Sequence, residues 1–498
     1  MSVRLRVLLL AAAGALYAPA LLGQSAGRGG LRGLEAVDSM VAAEYAKDSV
    51  GSLTVGVVSG AALAWTTTHG FADMSTRRLA NRQSVYRIGS ITKPFTAVML
   101  LQLVAAGKVQ LSDPVARYLP EVQRLTNAPK EAAPFTFLQL ATMTAGLARE
   151  PDDAGDFWSG PVSAWEAKLL AALAHTHYIS APGTEFSYSN IGYAILGAAL
   201  ARAADQPYVT WERTHVLEPL GMQHTRFELD SSIAGDLALG YEMRGDRTLD
   251  AETAQKEART GRGYKVPNGA IFTTVDDLAR FVSFELGRAP ESVLPHALLD
   301  EAFGGFVASS SSLQSGYGLG FMAMRRGDFT YVGHSGSVAG YRAAMYYNRT
   351  RQLGVIVMRN VVGDRQDTDR LAVDILVRLG SAIGAGIQAD IDRRVKTQEA
   401  SPGSEAAVRR LIEELRAGRP DYSRMSPDLA RQTRRKLVDE QATIEKLGAL
   451  QSLSFTGVGA SGPNIFRATF ERGMLDWRIW LDQEGRVDYF TVRPASPN

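Results

Sequence analysis

The chain has 498 residues, 45% of them hydrophobic, and a formal net charge of only +2, with acidic and basic residues spread along its length. That length allows roughly two to four domains around a sizeable core, and the even charge excludes a nucleic-acid footprint. The absence of cysteine excludes disulfides, thiolate metal sites, a cysteine nucleophile and a lipid-modified N-terminal cysteine.

Arg4 and Arg6 precede the apolar stretch Val7–Leu22, and small residues follow at 23–26. This is the layout of a secretory signal peptide, placed at 1–25. The run is shorter than the ~20 apolar residues of a spanning helix. Export to the periplasm or the exterior is therefore expected, with no membrane insertion after cleavage and no other segment suited to spanning. Residues 34–45 read as a helix and 53–65 as a strand pair turning at Ser59-Gly60, closed by 69–73. The apolar run Phe95–Leu103 marks a buried helix with Ser90 at its start. Further helices are expected at 136–144, 165–175, 191–203 and 275–286, the last capped by Thr274. Strands then dominate: 317–325, 329–333, 341–348 and 353–359, before a helix at 371–379. The order implies an α/β (α+β) fold, a mixed sheet flanked by helices with an all-helical insert. The small-residue run 380–386 and the polar stretch 386–405 read as a boundary and linker closing a first domain at 34–385. Beyond it, 406–498 reads as a small α+β module. Its helices fall at 406–415 and 426–447, and four alternating strands fill 450–492, with a hairpin turn at 482–485. No fixed-period repeat is present.

Three places can carry chemistry. Ser90-Ile91-Thr92-Lys93 puts a hydroxyl and an amine at i and i+3, on one helix face. A desolvated Lys can take the Ser proton and make it a nucleophile; a helix cap beside a surface lysine would read the same way. Tyr188-Ser189-Asn190 precedes the 191–203 helix. A Tyr hydroxyl near Lys⁺ can lose its proton below its usual pKa and act as a general base, and the Asn190 amide can hold a substrate carbonyl. An Asn cap beside a packed Tyr is the plainer alternative. His334-Ser335-Gly336-Ser337 lies between two predicted strands. Gly336 permits close backbone approach, so that the N–H groups of Ser90 and Ser337 can form an oxyanion hole; otherwise His334 is a turn histidine.

Taken in order, Ser-x-x-Lys, Tyr-x-Asn and His-x-Gly resemble the motif set of the penicillin-recognising serine hydrolases: class C β-lactamases, D,D-carboxypeptidases, D-aminopeptidases and related serine esterases. The flanking text is similar too: Tyr86 to Ala97, Pro182 to Tyr193, Pro219 to Met222, Gly269 to Phe281 and Gly333 to Ser337. The resemblance covers 35–385 and implies a β-lactamase/transpeptidase-like fold. It further implies acyl transfer to water through Ser90, with Lys93 and Tyr188 handling its proton. By the same resemblance Asn190 and His334 position substrate, and the amides of Ser90 and Ser337 bind the oxyanion beside Gly336. The implied partner is a small molecule or peptide with a reactive carbonyl, and no metal or organic cofactor is implied. Two positions depart from the pattern. His334 stands where a Lys supplies fixed charge, which favours an ester or D-peptide over efficient β-lactam hydrolysis. Met143-Thr144-Ala145-Gly146-Leu147 replaces His-Thr-Ser-Gly-Leu, a segment that supports the fold. A catalytically idle binding or sensing protein of the same fold is the alternative, although it would have no reason to keep Ser90, Lys93, Tyr188 and Asn190 together. An α/β-hydrolase triad is excluded because no Gly-x-Ser-x-Gly surrounds Ser90. Oligomeric state is not legible.

Overall fold

The computed structural model describes residues 31, 33–153, 156–243, 249–305, 307–309, 315–326, 329–363, 367–459, 462–482 and 485–495. The expected signal segment 1–25 lies outside the described residues. The first elements are α1 (Leu34–Ala46), β1 (Ser52–Ser59) and β2 (Ala62–Asp73). Helices α2 (Thr92–Ala105), α3 (Asn190–Ala204) and α4 (Val275–Glu285) follow. Next come strands β3 (Ser315–Tyr317), β4 (Met322–Arg326), β5 (Phe329–Val338), β6 (Tyr341–Asn348) and β7 (Leu353–Arg359). The large sheet has nine strands in the order Arg78–Leu79, β2, β1, β7, β6, β5, β4, β3 and Val307–Ala308. Its neighbouring strands run antiparallel, while a small side sheet pairs Val361 in parallel with Tyr241.

Strand β7 lies inside the sheet, between β1 and β6, and is buried along its whole length, which explains why its sequence is a continuous apolar run rather than an alternation. Its pleat still divides the layers. Val355 and Val357 face α1 and a long helix, α5 (Thr368–Thr397). Ile356 and Met358 face α4 and the helical region that carries α2 and α3. Between α2 and α4 the rings of Phe95 and Phe281 stack at 3.7 Å. Thr274 caps α4 by accepting from Asp277 N, as expected.

The structure departs from the expected elements in three places. The strand read at 317–325 is broken at Gly318–Phe321, because Gly320 adopts φ +82° and a β-carbon there would stand 2.7 Å from that of Ala97 on α2. Strand β5 does not stop at Gly333 but runs on to Val338, so His334–Ser337 belong to the strand instead of a turn. Helix α5 runs through both the expected boundary and most of the 386–405 linker, ending at Thr397. The small residues there make room: a β-carbon on Gly380 would lie 2.4 Å from the Phe329 ring. As one continuous helix, α5 also has an 18-residue window of mean hydropathy 1.4, long and apolar enough to cross a membrane. Its Leu371, Ile375, Leu376 and Leu379 are spent on the sheet.

Beyond α5, helices α6 (Ser404–Arg416) and α7 (Pro427–Leu447) lie on a four-stranded antiparallel sheet. Its strands are β8 (Leu450–Val458), β9 (Asn464–Phe470), β10 (Gly473–Leu481) and β11 (Val487–Pro494). Leu411, Ile412, Leu415, Phe466, Trp477 and Ile479 form a buried cluster of their own.

Candidate active site

Ser90 lies in a single 3₁₀ turn, Gly89–Ile91, that leads directly into α2. The turn depends on Gly89, whose φ is +52°, a conformation that a side chain disfavours. Lys93, in the first turn of α2, is 0% exposed and its Nζ stands 3.1 Å from Ser90 Oγ. It also reaches Asn190 Oδ1 at 2.8 Å and the Asn268 carbonyl at 3.2 Å. Burial drives the Lys93 pKa well below its ordinary 10.5; Glu150 opposes this, while Arg149, Arg262 and Lys265 add to it. A lysine so placed is a proton acceptor in reach of a serine hydroxyl.

Ser189 caps α3, accepting from Gly192 N at 3.0 Å and donating to the Ala148 carbonyl at 2.7 Å. With Ser189 as the cap, Asn190 is free to turn its amide towards Lys93. Tyr188 lies just outside the helix, hydrogen-bonded to Ser90, with Lys93 Nζ 4.8 Å from its ring centroid. The expected fall in its pKa does not occur. Burial pushes it up to about 12, outweighing the Ser90 hydrogen bond and the charge of Arg149. Tyr188 thus keeps its proton at neutral pH.

The segment 143–149, where Met143 replaces the usual His, holds this loop. The Met143 carbonyl accepts from Ser187 N at 2.8 Å, the Thr144 carbonyl from Gly183 N at 2.7 Å, and the Arg149 carbonyl from Asn190 N at 2.9 Å.

Strand β5 passes beside Ser90 so closely that a β-carbon on Gly336 would stand 3.0 Å from Ser90 N and 1.8 Å from the Ile88 carbonyl oxygen. One on Gly89 would stand 2.9 Å from Ser337 N. The backbone amides of Ser90 and Ser337 are therefore neighbours across a gap that only glycines allow, the placement an oxyanion hole requires.

His334 is 1% exposed. Burial, with Lys93 nearby, lowers its pKa to about 3. Its neutral ring donates from Nδ1 to the Ser335 carbonyl at 2.5 Å and accepts at Nε2 from the Tyr317 hydroxyl at 3.0 Å. Both nitrogens are engaged. It organises the aromatic wall of Tyr188 and Tyr317 and supplies no charge.

Sequence reasoning missed Glu150, Tyr264, Lys265 and Asn268. Glu150 accepts from Asn190 Nδ2 at 2.7 Å, from the Tyr264 hydroxyl, and from Lys265 Nζ at 3.2 Å. Asn268 Nδ2 donates to the Asn190 carbonyl at 2.9 Å. Burial and the charge of Arg262 bring the Lys265 pKa to about 8, and its amine stands 3.6 Å above the Trp158 ring. Nothing local in the sequence marks these residues; the Asn268 motif Pro-Asn-Gly is the nearest to a signal.

Because Glu150 raises the Lys93 pKa, Glu150→Gln is expected to lower it. The rising limb of the rate–pH profile, which reports Lys93 losing its proton, should move to lower pH. A limb that stays in place would show that Glu150 does not act on the base.

Comparison with known proteins adds the following. The sequence profile of the Beta-lactamase family matches residues 37–378. Protein flp of Staphylococcus aureus (strain MW2) is 23% identical over 331 residues, covering 65% of this chain; the chain spans 62% of that relative's length. Among solved structures, the octameric penicillin-binding protein homologue from Pyrococcus abyssi aligns with a TM-score of 0.57 at 20% identity, covering 93% of this chain and 97% of that one. The D-stereospecific amidohydrolase from Streptomyces sp. aligns with a TM-score of 0.55 at 23% identity, covering 69% and 98%. These structural likenesses speak for the fold.

Proposed function

Since the chain belongs to the Beta-lactamase family, we propose that it is a serine hydrolase transferring an acyl group from an ester or a D-amino-acid peptide to water through Ser90. The observation that carries this reading is the buried Lys93 amine 3.1 Å from Ser90 Oγ, held where its neutral form is favoured.

The chemistry follows from the placement. Ser90 Oγ bonds to the substrate carbonyl carbon as its proton passes to Lys93 Nζ, and the amides of Ser90 and Ser337 hold the oxyanion. Collapse breaks the bond from carbonyl carbon to leaving group, which receives the proton of Lys93 through the Tyr188 hydroxyl. Water then attacks the acyl carbon, gives a proton to Lys93 and releases the acid; Ser90 takes that proton back. With His334 neutral, the strand offers no fixed cation to a β-lactam carboxylate, which favours esters and peptides. Export is part of the proposal, on the strength of Arg4, Arg6 and the apolar run behind them.

The test is intact-mass measurement of the purified protein after exposure to a fluorophosphonate, with the adduct mapped by digestion. One adduct on Ser90 is the expected result. An adduct on another residue would overturn the nucleophile, and no adduct, with no turnover of an aryl ester or D-peptide, would leave an idle binding protein.

A further inference from the structure

Two enclosed guanidiniums share one carboxylate in the frame that carries Ser90. Arg87 lies on a short strand, Tyr86–Arg87, that pairs with Phe272–Thr273. Its side chain is 1% exposed, and its Nη2 donates to Glu257 Oε1 at 2.5 Å. Arg262, 13% exposed, brings its Nη1 to 3.3 Å from the same oxygen. The Nε and Nη1 atoms of both arginines are buried and meet no hydrogen-bond acceptor among the described residues. The surroundings supply no second negative charge. The rings of Phe272 and Tyr341 lie 5.4 and 5.7 Å from Arg87 Cζ, and the Tyr341 hydroxyl donates to the Ala238 carbonyl. Glu150, whose charge also reaches Arg262, is bonded to Asn190, Tyr264 and Lys265. A buried cation without a counter-charge is costly, and so is a buried N–H without an acceptor. One small anion held by both guanidinium edges answers both costs. Enclosure this complete suits a monatomic ion rather than a ligand with a body of its own.

We propose that Arg87 and Arg262 hold a chloride ion at an interior site. The chain runs from Arg87 through Ile88, whose N–H donates to the Ile271 carbonyl at 3.1 Å, into the turn that carries Ser90. The ion therefore braces the frame of the candidate active site and takes no part in bond changes there.

Two measurements test this. Crystals soaked in sodium bromide should show an anomalous-scattering peak between the guanidiniums of Arg87 and Arg262. In solution, exchanging gluconate for chloride at constant ionic strength should raise the unfolding temperature of the wild type saturably, by about 2 °C or more. Arg262→Gln should abolish that rise. Glu257→Gln removes the competing carboxylate, so its rise should set in at about tenfold lower chloride. Loss of a purely structural ion pair would lower stability in both variants and leave the chloride response alone, so the opposite signs are diagnostic. No response in the wild type, or the same response in wild type and Arg262→Gln, would overturn the site. If Arg262→Gln does not fold, the bromide peak and Glu257→Gln decide: both as expected support the ion, and failure of either overturns it.

Discussion

Ser90→Ala and Lys93→Met are expected to be nearly equal in damage, each lowering kcat/KM by about 10⁴-fold or more, with the double variant scarcely worse than either. The reason is geometric. The two groups share one proton across 3.1 Å, so removing either ends the same step and the losses do not add. Stability should move the other way for Lys93→Met. The amine is fully buried and its desolvation is a cost of folding, so an apolar chain of similar length should leave the urea midpoint unchanged or higher. Collapse of activity together with the fold would show that Lys93 is structural; additive losses would show that the two residues act in separate steps.

The second large effect is expected at Gly336. An alanine there would set its β-carbon 1.8 Å from the Ile88 carbonyl oxygen, closer than any real contact. Strand β5 must therefore withdraw from Gly89 and Ser90. The withdrawal separates the amides of Ser90 and Ser337, and loss of an oxyanion donor lowers kcat by about 10²–10³-fold. Overpacking of this kind costs about 1–3 kcal/mol of stability, so thermal unfolding is measured beside kcat. Normal kcat in a folded Gly336→Ala would show that the oxyanion is held elsewhere.

What the sequence made legible is what neighbours in the chain decide. Ser90 and Lys93 are one turn apart and Thr274 caps α4; short-range rules suffice for both, whereas the cap of α3 falls on Ser189 and not on Asn190. What escaped depends on residues brought together from afar. Tyr188 was expected to be acidified by a nearby cation, yet the Tyr317 and His334 rings that bury it come from another part of the chain. The sequence places His334 between two strands, with a turn histidine as the alternative; the close approach read from Gly336 is made by the Ile88 backbone, and the strand runs straight through. The run at 380–386 reads as a boundary because its residues are small. Glycine in a helix costs about 1 kcal/mol relative to alanine, and here Gly380 gives the Phe329 ring its place.

The interior position of β7, between β1 and β6, bears on how the molecule is made. Val55 in β1 pairs with Val357 in β7, so the first hairpin cannot join the large sheet until nearly the whole catalytic region has been synthesised. Contacts of such sequence separation are slow to form, and until then β1 presents an unpaired edge able to recruit another chain. A nascent polypeptide released before β7 emerges would therefore be a candidate for aggregation rather than a partial enzyme.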